Sequence, residues 1–364
     1  MSKAAQLAAL IGSGQAQGDK NILINGAMTV SQRATSVSSY SSDAFCTVDR
    51  FKVRVGSLGV YTVTQAADAP SGFKYSLKLD CTTADASPAS SDFLFLLQAI
   101  EGQDLQQLKK GTANAESLTL SFWVKSNKTG TGQVNLRDND NDRLVGKTYT
   151  ISSANTWEYK TVTFPPDTTG AITSDNTAGI SLEIWLDSGS DYEGGAVPTS
   201  WEARSQTDRN AGGNLNIGSS TANEFLITGV SLEIGDVATP FEHESFASTL
   251  QKCQRYYTTS GFNSGTSYGG GGIAMYAFTT SEAGGTVIFP TTMRAGPTIR
   301  TKDASGNIGG IHRAGGPGDV TSGVAVQWSV NAESDKVGFS GLTKSSAWAV
   351  GNMLIGVWDA TAEL

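Results

Sequence analysis

Between residues 225 and 257 the chain changes its period, and that change limits every fold it can take. FLITGVSLEI repeats at every second residue. Leu226, Thr228, Val230, Leu232 and Ile234 alternate with Gly229, Ser231 and Glu233, which predicts a strand with one apolar face. Gly235-Asp236 ends it, and Pro240 demands extended backbone before it. Ser245 is a suitable N-cap. After it, Phe246, Leu250, Cys253 and Tyr257 recur at spacings of four, three and four, which predicts one face of a helix. A strand that completes one β-body therefore feeds a helix that carries the chain into a second.

The 364 residues suffice for two or three domains with cores of their own. With 42 glycines and only 16% charged residues, the chain suits short strands and many turns more than a helical bundle. A net charge of −8 argues against a nucleic-acid partner, whose phosphates call for a basic surface. Membrane insertion is not expected, because no apolar run approaches the roughly 20 residues that span a bilayer. No signal peptide is read at the start, so synthesis in a cytoplasm is expected. Cys46, Cys81 and Cys253 are odd in number and widely spaced, which predicts buried free thiols.

Taken in order, residues 1–20 differ from the rest. Ser2 can cap a short helix with Ala4, Leu7, Ala8 and Ile11 on one face, and a Gly/Gln-rich tether follows Gly12. So short a helix has to dock on something: the body, a sister copy or another protein. From Asn21 strands take over. Phe51, Val53 and Val55 alternate with Arg50, Lys52 and Arg54, as Tyr75, Leu77 and Leu79 do with Lys74, Ser76 and Lys78. Residues 93–97 are apolar on both faces and predict a central strand. The next stretch, to Gly111, reads as a polar connection with one helical turn.

Two strands carry the most information. In LTLSFWVK, Leu118, Leu120, Phe122 and Val124 oppose Thr119, Ser121 and Trp123. In ISLEIWLD, Ile180, Leu182, Ile184 and Leu186 oppose Ser181, Glu183 and Trp185. Each places a tryptophan on its polar face. Trp157 and Tyr159 share a side of a third strand. Strands at this spacing, parted by turn clusters, predict an all-β jelly-roll or β-sandwich domain (21–242). A linker helix (243–260) and a smaller C-terminal β-domain (261–364) follow, and the short N-terminal helical peg and tether (1–20) precede it.

The words NILINGAMTVSQR, VDRFKV, SFWVKS, TWEYKTVTFPPDTTG, ITGVSLEIGDVATPFEHESF, CQRYY, FPTTMRAGPTIR and WDATAEL stand in this order along nearly the whole chain. In wording and spacing they resemble structural fibre proteins of tailed bacteriophages, the tail and virion fibres of marine-phage type. Phe51 replaces the usual Trp, and Pro166 a usual Gly. The resemblance implies a virion protein, homotrimeric, attached to other tail or capsid proteins through its N-terminus, with Leu7, Leu10 and Ile11 as the attachment residues. Its C-terminal domain would face outward; host-surface glycan recognition is expected from Trp123 and Trp185 and from the Gly- and Tyr-rich loops of residues 261–276.

Each candidate site has two readings. Trp123 and Trp185, with Trp157 and Tyr159 behind them, could stack on sugar rings, or be covered by another segment or a sister subunit. Asp138, Asp140 and Asp142 offer oxygen ligands for a structural calcium, or form a solvated hairpin tip; no other cofactor is expected. Glu183, Asp187, Asp191 and Glu193 are near in sequence, but nothing fixes a glycosidase separation. No nucleophile elbow, zinc helix or phosphate loop appears, so no catalytic residue is assigned. His243 reads as a packed hinge residue. A fibre that decorates the particle without binding a receptor, and a polysaccharide depolymerase, are the alternatives to a glycan-binding fibre.

Overall fold

Alternating apolar and polar residues oblige each strand to bury one face, and two such sheets bury theirs against each other. A computed structural model describes residues 20–260, 273–303, 308–314, 323–326, 338–344, 349–351 and 353–364. The chain is all-β. One sheet orders β1 (Ser36–Tyr40), β4 (Val60–Ala66), β5 (Ser76–Thr83), β13 (Glu224–Ile234), β7 (Leu118–Ser126) and β10 (Glu158–Phe164). The facing sheet orders β12 (Glu202–Ala203), β9 (Arg143–Ile151), β8 (Gly130–Asp138), β11 (Ala178–Ser188), β6 (Phe93–Glu101), β3 (Lys52–Gly56) and β2 (Asp43–Ala44). All pairings in these two sheets are antiparallel, as in a jelly-roll sandwich. Leu120, Phe122 and Val124 of β7 and Leu182, Ile184 and Leu186 of β11 meet in one continuous core between them.

β13 departs from strict alternation. Its register with β7 shifts between Thr228 and Ser231, around Gly229 at φ +61°. That bulge reverses the faces: Phe225 and Ile227 before it and Val230 and Leu232 after it all point into the core. Leu226 and Thr228 therefore do not share a face with Val230, contrary to the sequence reading. The stretch after β6 is also more ordered than a turn, because Gly102–Leu108 forms a 3-10 helix.

After β13 the hinge leads to α1 (Phe246–Gln254), capped by the Ser245 hydroxyl, which accepts from Ser248 N at 3.1 Å. Its buried face is Thr249 and Cys253, while Phe246 is 51% exposed. The expected seam through Phe246 is thus displaced, because Tyr257 has already left the helix for β14 (Tyr257–Thr259). Cys46, Cys81 and Cys253 are free thiols, the last two buried.

The third sheet is built around β21 (Met353–Thr361). β15 (Ile273–Ala277) and β18 (His312–Ala314) pair with its first half, and β14 and β17 (Thr298–Lys302) with its second. β16 (Glu282–Ile288), β20 (Gly338–Thr343) and β19 (Ala325–Val326) extend it beyond β15. The peg residues Leu7, Leu10 and Ile11 lie outside the described residues.

The bodies meet at a joint of buried charges. The Glu363 carboxylate takes the guanidiniums of Arg50 and, at 3.1 Å, Arg33. Arg50 also lies 3.5 Å over the Tyr256 ring, and Arg33 3.6 Å over that of Tyr257. Glu101 receives Arg255 at 2.7 Å through both its oxygens and the Tyr256 hydroxyl at 2.6 Å. Burial raises Glu101, but these donors outweigh it and hold the carboxyl below its usual range. Asp49, bound by Gln32 and 3.7 Å from Arg33, has the opposite balance: burial pushes it up to about 6.

An acid whose folded pKa exceeds its unfolded value stabilises the fold most below the unfolded value, and that contribution fades as pH rises through the folded one. Asp49 should therefore add on the order of 2 kcal/mol at about pH 4 that is lost above about pH 6. Calorimetric melting across that window should show this slope in the native chain, and Asp49→Asn should reduce it by about half, the rest belonging to Asp187, which burial raises to about the same value. An unchanged slope in the variant would exclude Asp49 as its source.

A candidate glycan face on the six-stranded sheet

The two tryptophans that sequence treats alike occupy opposite surroundings. Trp185 pairs in register with Phe95 of the next strand, and their rings stack at 4.4 Å. The segment after β11 folds back over them: Tyr192 packs 5.1 Å from the indole, and the Arg209 guanidinium lies 4.8 Å from it. Arg209 is held there by Glu183, at 2.6 Å, which also accepts from Trp185 Nε1 at 3.0 Å. Trp185 is 0% exposed, so it has no face to offer a ligand. The expectation of glycan contact at Trp185 is corrected. The sequence held the clue: Phe93, Phe95 and Leu97 make the outer face of β6 apolar, and an apolar outer face demands a cover.

The outer face of the six-stranded sheet has no such cover from this segment. Trp123 on β7 sits opposite Tyr159 on β10, ring centroids 5.3 Å apart. Trp123 is half-buried and Tyr159 is 45% exposed. Phe73, from the loop between β4 and β5, closes the other flank. A Cβ on Gly229 would lie 2.7 Å from Phe73 and 3.1 Å from Trp123, so the bulge glycine is the space in which these rings seat. Phe73 in turn packs against Phe241 and His243 of the hinge, at 5.1 and 5.0 Å. His243 is thus a ring-stacking hinge residue, though an exposed one.

Trp157 completes the row. Its Nε1 donates to Asp68 at 3.1 Å, and Asp68 also pairs with Lys125, whose Nζ lies 5.6 Å from the indole. Burial works to raise Asp68, but the hydrogen bonds from Lys125 and Trp157 hold its carboxyl low and charged. Trp123, Trp157 and Tyr159 are therefore brought together on one face, beside a fixed Asp–Lys pair. Sequence alone missed Phe73, Asp68 and Lys125. Phe73 and Asp68 come from a loop with no periodic signal, whereas Lys125 follows Trp123 by two residues and alternation places it on the same face.

The acidic turn is committed elsewhere. Asp138 is buried against Lys110 and accepts the backbone N–H groups of Asp140 and Asn141. Asp140 accepts from Thr173 N at 2.7 Å, and Asp142 pairs with Arg204 at 2.6 Å. No group of three acidic, His or Cys side chains among the described residues could hold a metal ion. The three carboxylates have separate protein partners, which corrects the calcium reading. Asp187 is likewise buried, accepting from Gly218 N at 2.8 Å and Asn214 Nδ2 at 3.1 Å; burial pushes it up to about 6.

No family model and no curated protein matches the chain. Similar solved structures include the enzymatically active domain of tailspike protein 4 of bacteriophage CBA120. It is 15% identical over 59% of this chain and 21% of that one, with a TM-score of 0.30. The chain thus spans about a fifth of that tailspike structure. A family 11 carbohydrate-binding module of a cellulosomal cellulase of Clostridium thermocellum is 12% identical over 57% and 99%, with a TM-score of 0.28. The TmCBM61 module, in complex with β-1,4-galactotriose, is 11% identical over 59% and 99%, also at 0.28.

The contrast between the two faces is measurable. Trp185→Ala should cost about 3–5 kcal/mol in denaturant unfolding, as a cavity beside an ion pair left without its cover. Tyr159→Ala should stay within about 1 kcal/mol. Gly229→Val, which forces a side chain into the Phe73–Trp123 seat at positive φ, should cost about 1–3 kcal/mol or more and perturb tryptophan fluorescence.

Proposed function

We propose that this chain is a non-enzymatic structural fibre protein of a tailed-phage particle, and that the outer face of its six-stranded sheet binds host-surface glycan. One observation carries the binding part. Trp123, Trp157 and Tyr159 form an aromatic row on a polar sheet face that the described residues leave open, while they roof the equivalent aromatics of the other sheet. Flat rings bury the apolar C–H face of a sugar, and flanking polar groups such as Asp68 and Lys125 meet its hydroxyls. The fibre part is supported by the sequence resemblance, which also implies N-terminal attachment to other virion proteins, a homotrimer and an outward C-terminal β-domain. Weak single sites then suffice, since several copies engage one surface together.

The decorating fibre keeps the same fold but gives the aromatic row no ligand. A depolymerase would need two carboxylates poised around a bond. Glu183, one of the four carboxylates considered from the sequence, is sealed under Arg209. Adsorption competition separates the readings. Full-length protein added to host cells before phage should reduce adsorption in proportion to dose. Trp157→Ala/Tyr159→Ala, whose side chains lie outside the core, should lose about tenfold or more of that blocking. Equal blocking by the folded double variant would remove the glycan role from this face. Release of reducing ends from host polysaccharide would instead favour the depolymerase.

A further inference from the structure

Lysine is seldom buried unless paired, and Lys110 is buried in the connection that crosses from β6 of one sheet to β7 of the other. Its Nζ pairs with two carboxylates, Asp138 at the end of β8 and, at 2.9 Å, Asp167 in the loop after β10. Both carboxylates are buried as well. The Trp201 ring lies 4.9 Å from the amine and is pinned by its Nε1, which donates to Pro165 O at 2.9 Å. Holding such charges out of water is costly, and two of them vanish if amine and acid condense to an amide.

The two oxygens of Asp138 have different partners. Oδ1 accepts the backbone N–H groups of Asp140 and Asn141, each at 3.0 Å, an arrangement that steadies an oxyanion. Oδ2 faces the amine and accepts from Asn141 Nδ2 at 2.9 Å. The amine also donates to the carbonyls of Gly170, at 2.8 Å, and Thr169, at 3.3 Å. Burial works to raise Asp167, but the hydrogen bonds from Arg143 and Lys110 hold its carboxyl low and charged. Arg143 grips both of its oxygens, at 2.9 and 3.1 Å. Asp167 can therefore pass a proton on but not keep it.

We propose that Lys110 and Asp138 condense into an amide, a crosslink that the folded chain makes for itself. The ammonium first yields one proton to Asp138 Oδ2. The neutral amine keeps two N–H groups, toward Asp167 and Gly170 O, and turns its lone pair to Asp138 Cγ. The N–C bond forms, and negative charge gathers on Oδ1 under the two backbone N–H groups. Asp167 takes a second proton from the nitrogen and delivers it to Oδ2, the Cγ–Oδ2 bond breaks, and water leaves. Ammonium and carboxylate thus become amide and water, and Asp167 ends as it began. Fixed geometry supplies what a free amine and acid in water lack. The bond closes the chain on itself between 110 and 138, which restricts the unfolded state as a disulfide does. This inference is independent of the glycan reading.

Intact mass spectrometry of the denatured full-length protein tests it. The native chain should weigh one water less than its sequence, and a protease digest should yield a branched peptide that joins 110 to 138. Lys110→Arg, which keeps the charge, and Asp167→Asn, which keeps both reacting residues, should each show the full sequence mass. A native chain at full sequence mass would overturn the proposal, whether or not either variant folds. So would a missing water that maps anywhere other than 110 and 138. A branched peptide still formed in folded Asp167→Asn would overturn the relay through Asp167.

Discussion

The buried charges at the joint are the constraint on which the rest of the architecture depends. Arg50 and Glu363 are almost fully enclosed, and each would be costly to bury alone. They are tolerable only as partners, which ties a residue near the start of the sandwich to one beyond β21. Arg294 adds a second tie, donating to the carbonyls of Asn176 and Ala362 at 2.7 Å. Such a joint fixes one orientation of the two bodies, since any other would strand a guanidinium or a carboxylate.

The two outer faces of the sandwich show how one pattern leads to two outcomes. β7 and β11 have the same binary alternation and the same lone tryptophan. The difference lies in their neighbours. β11 lies beside a strand with Phe93 and Phe95 on its outer side, so exclusion of water draws the 189–210 segment over it. β7 lies between Thr228 and Tyr159, in a polar setting that needs no roof. An aromatic left open there is affordable for stability and available for recognition.

Strand identity and the sandwich were legible because alternation acts locally. The faces of β13 were not, since a single glycine at positive φ inverts the period without changing composition. The helix seam was misplaced for a similar reason: Tyr257 fits a 3.6-residue repeat but belongs to the next strand. The aromatic row was half visible. Trp123, Trp157 and Tyr159 follow from alternation, while Phe73 and Asp68 reach the face through a loop. The recurring words have a physical counterpart as well. Gln32, Arg33, Asp49, Arg50, Arg255, Arg294 and Glu363 fall in five of those words, and all of them meet at the joint.

β13 and β21 come after their sheet partners in the sequence, yet each is inserted between them. Neither sheet can be completed outward from an early hairpin as the polypeptide emerges from a ribosome. Until residues 224–234 arrive, β5 and β7 flank a gap; until residues 353–361 arrive, β14, β15 and β17 have no common neighbour. The nascent protein is thus exposed to premature edge pairing for most of its synthesis, and its safe yield depends on how quickly these two late strands reach their slots.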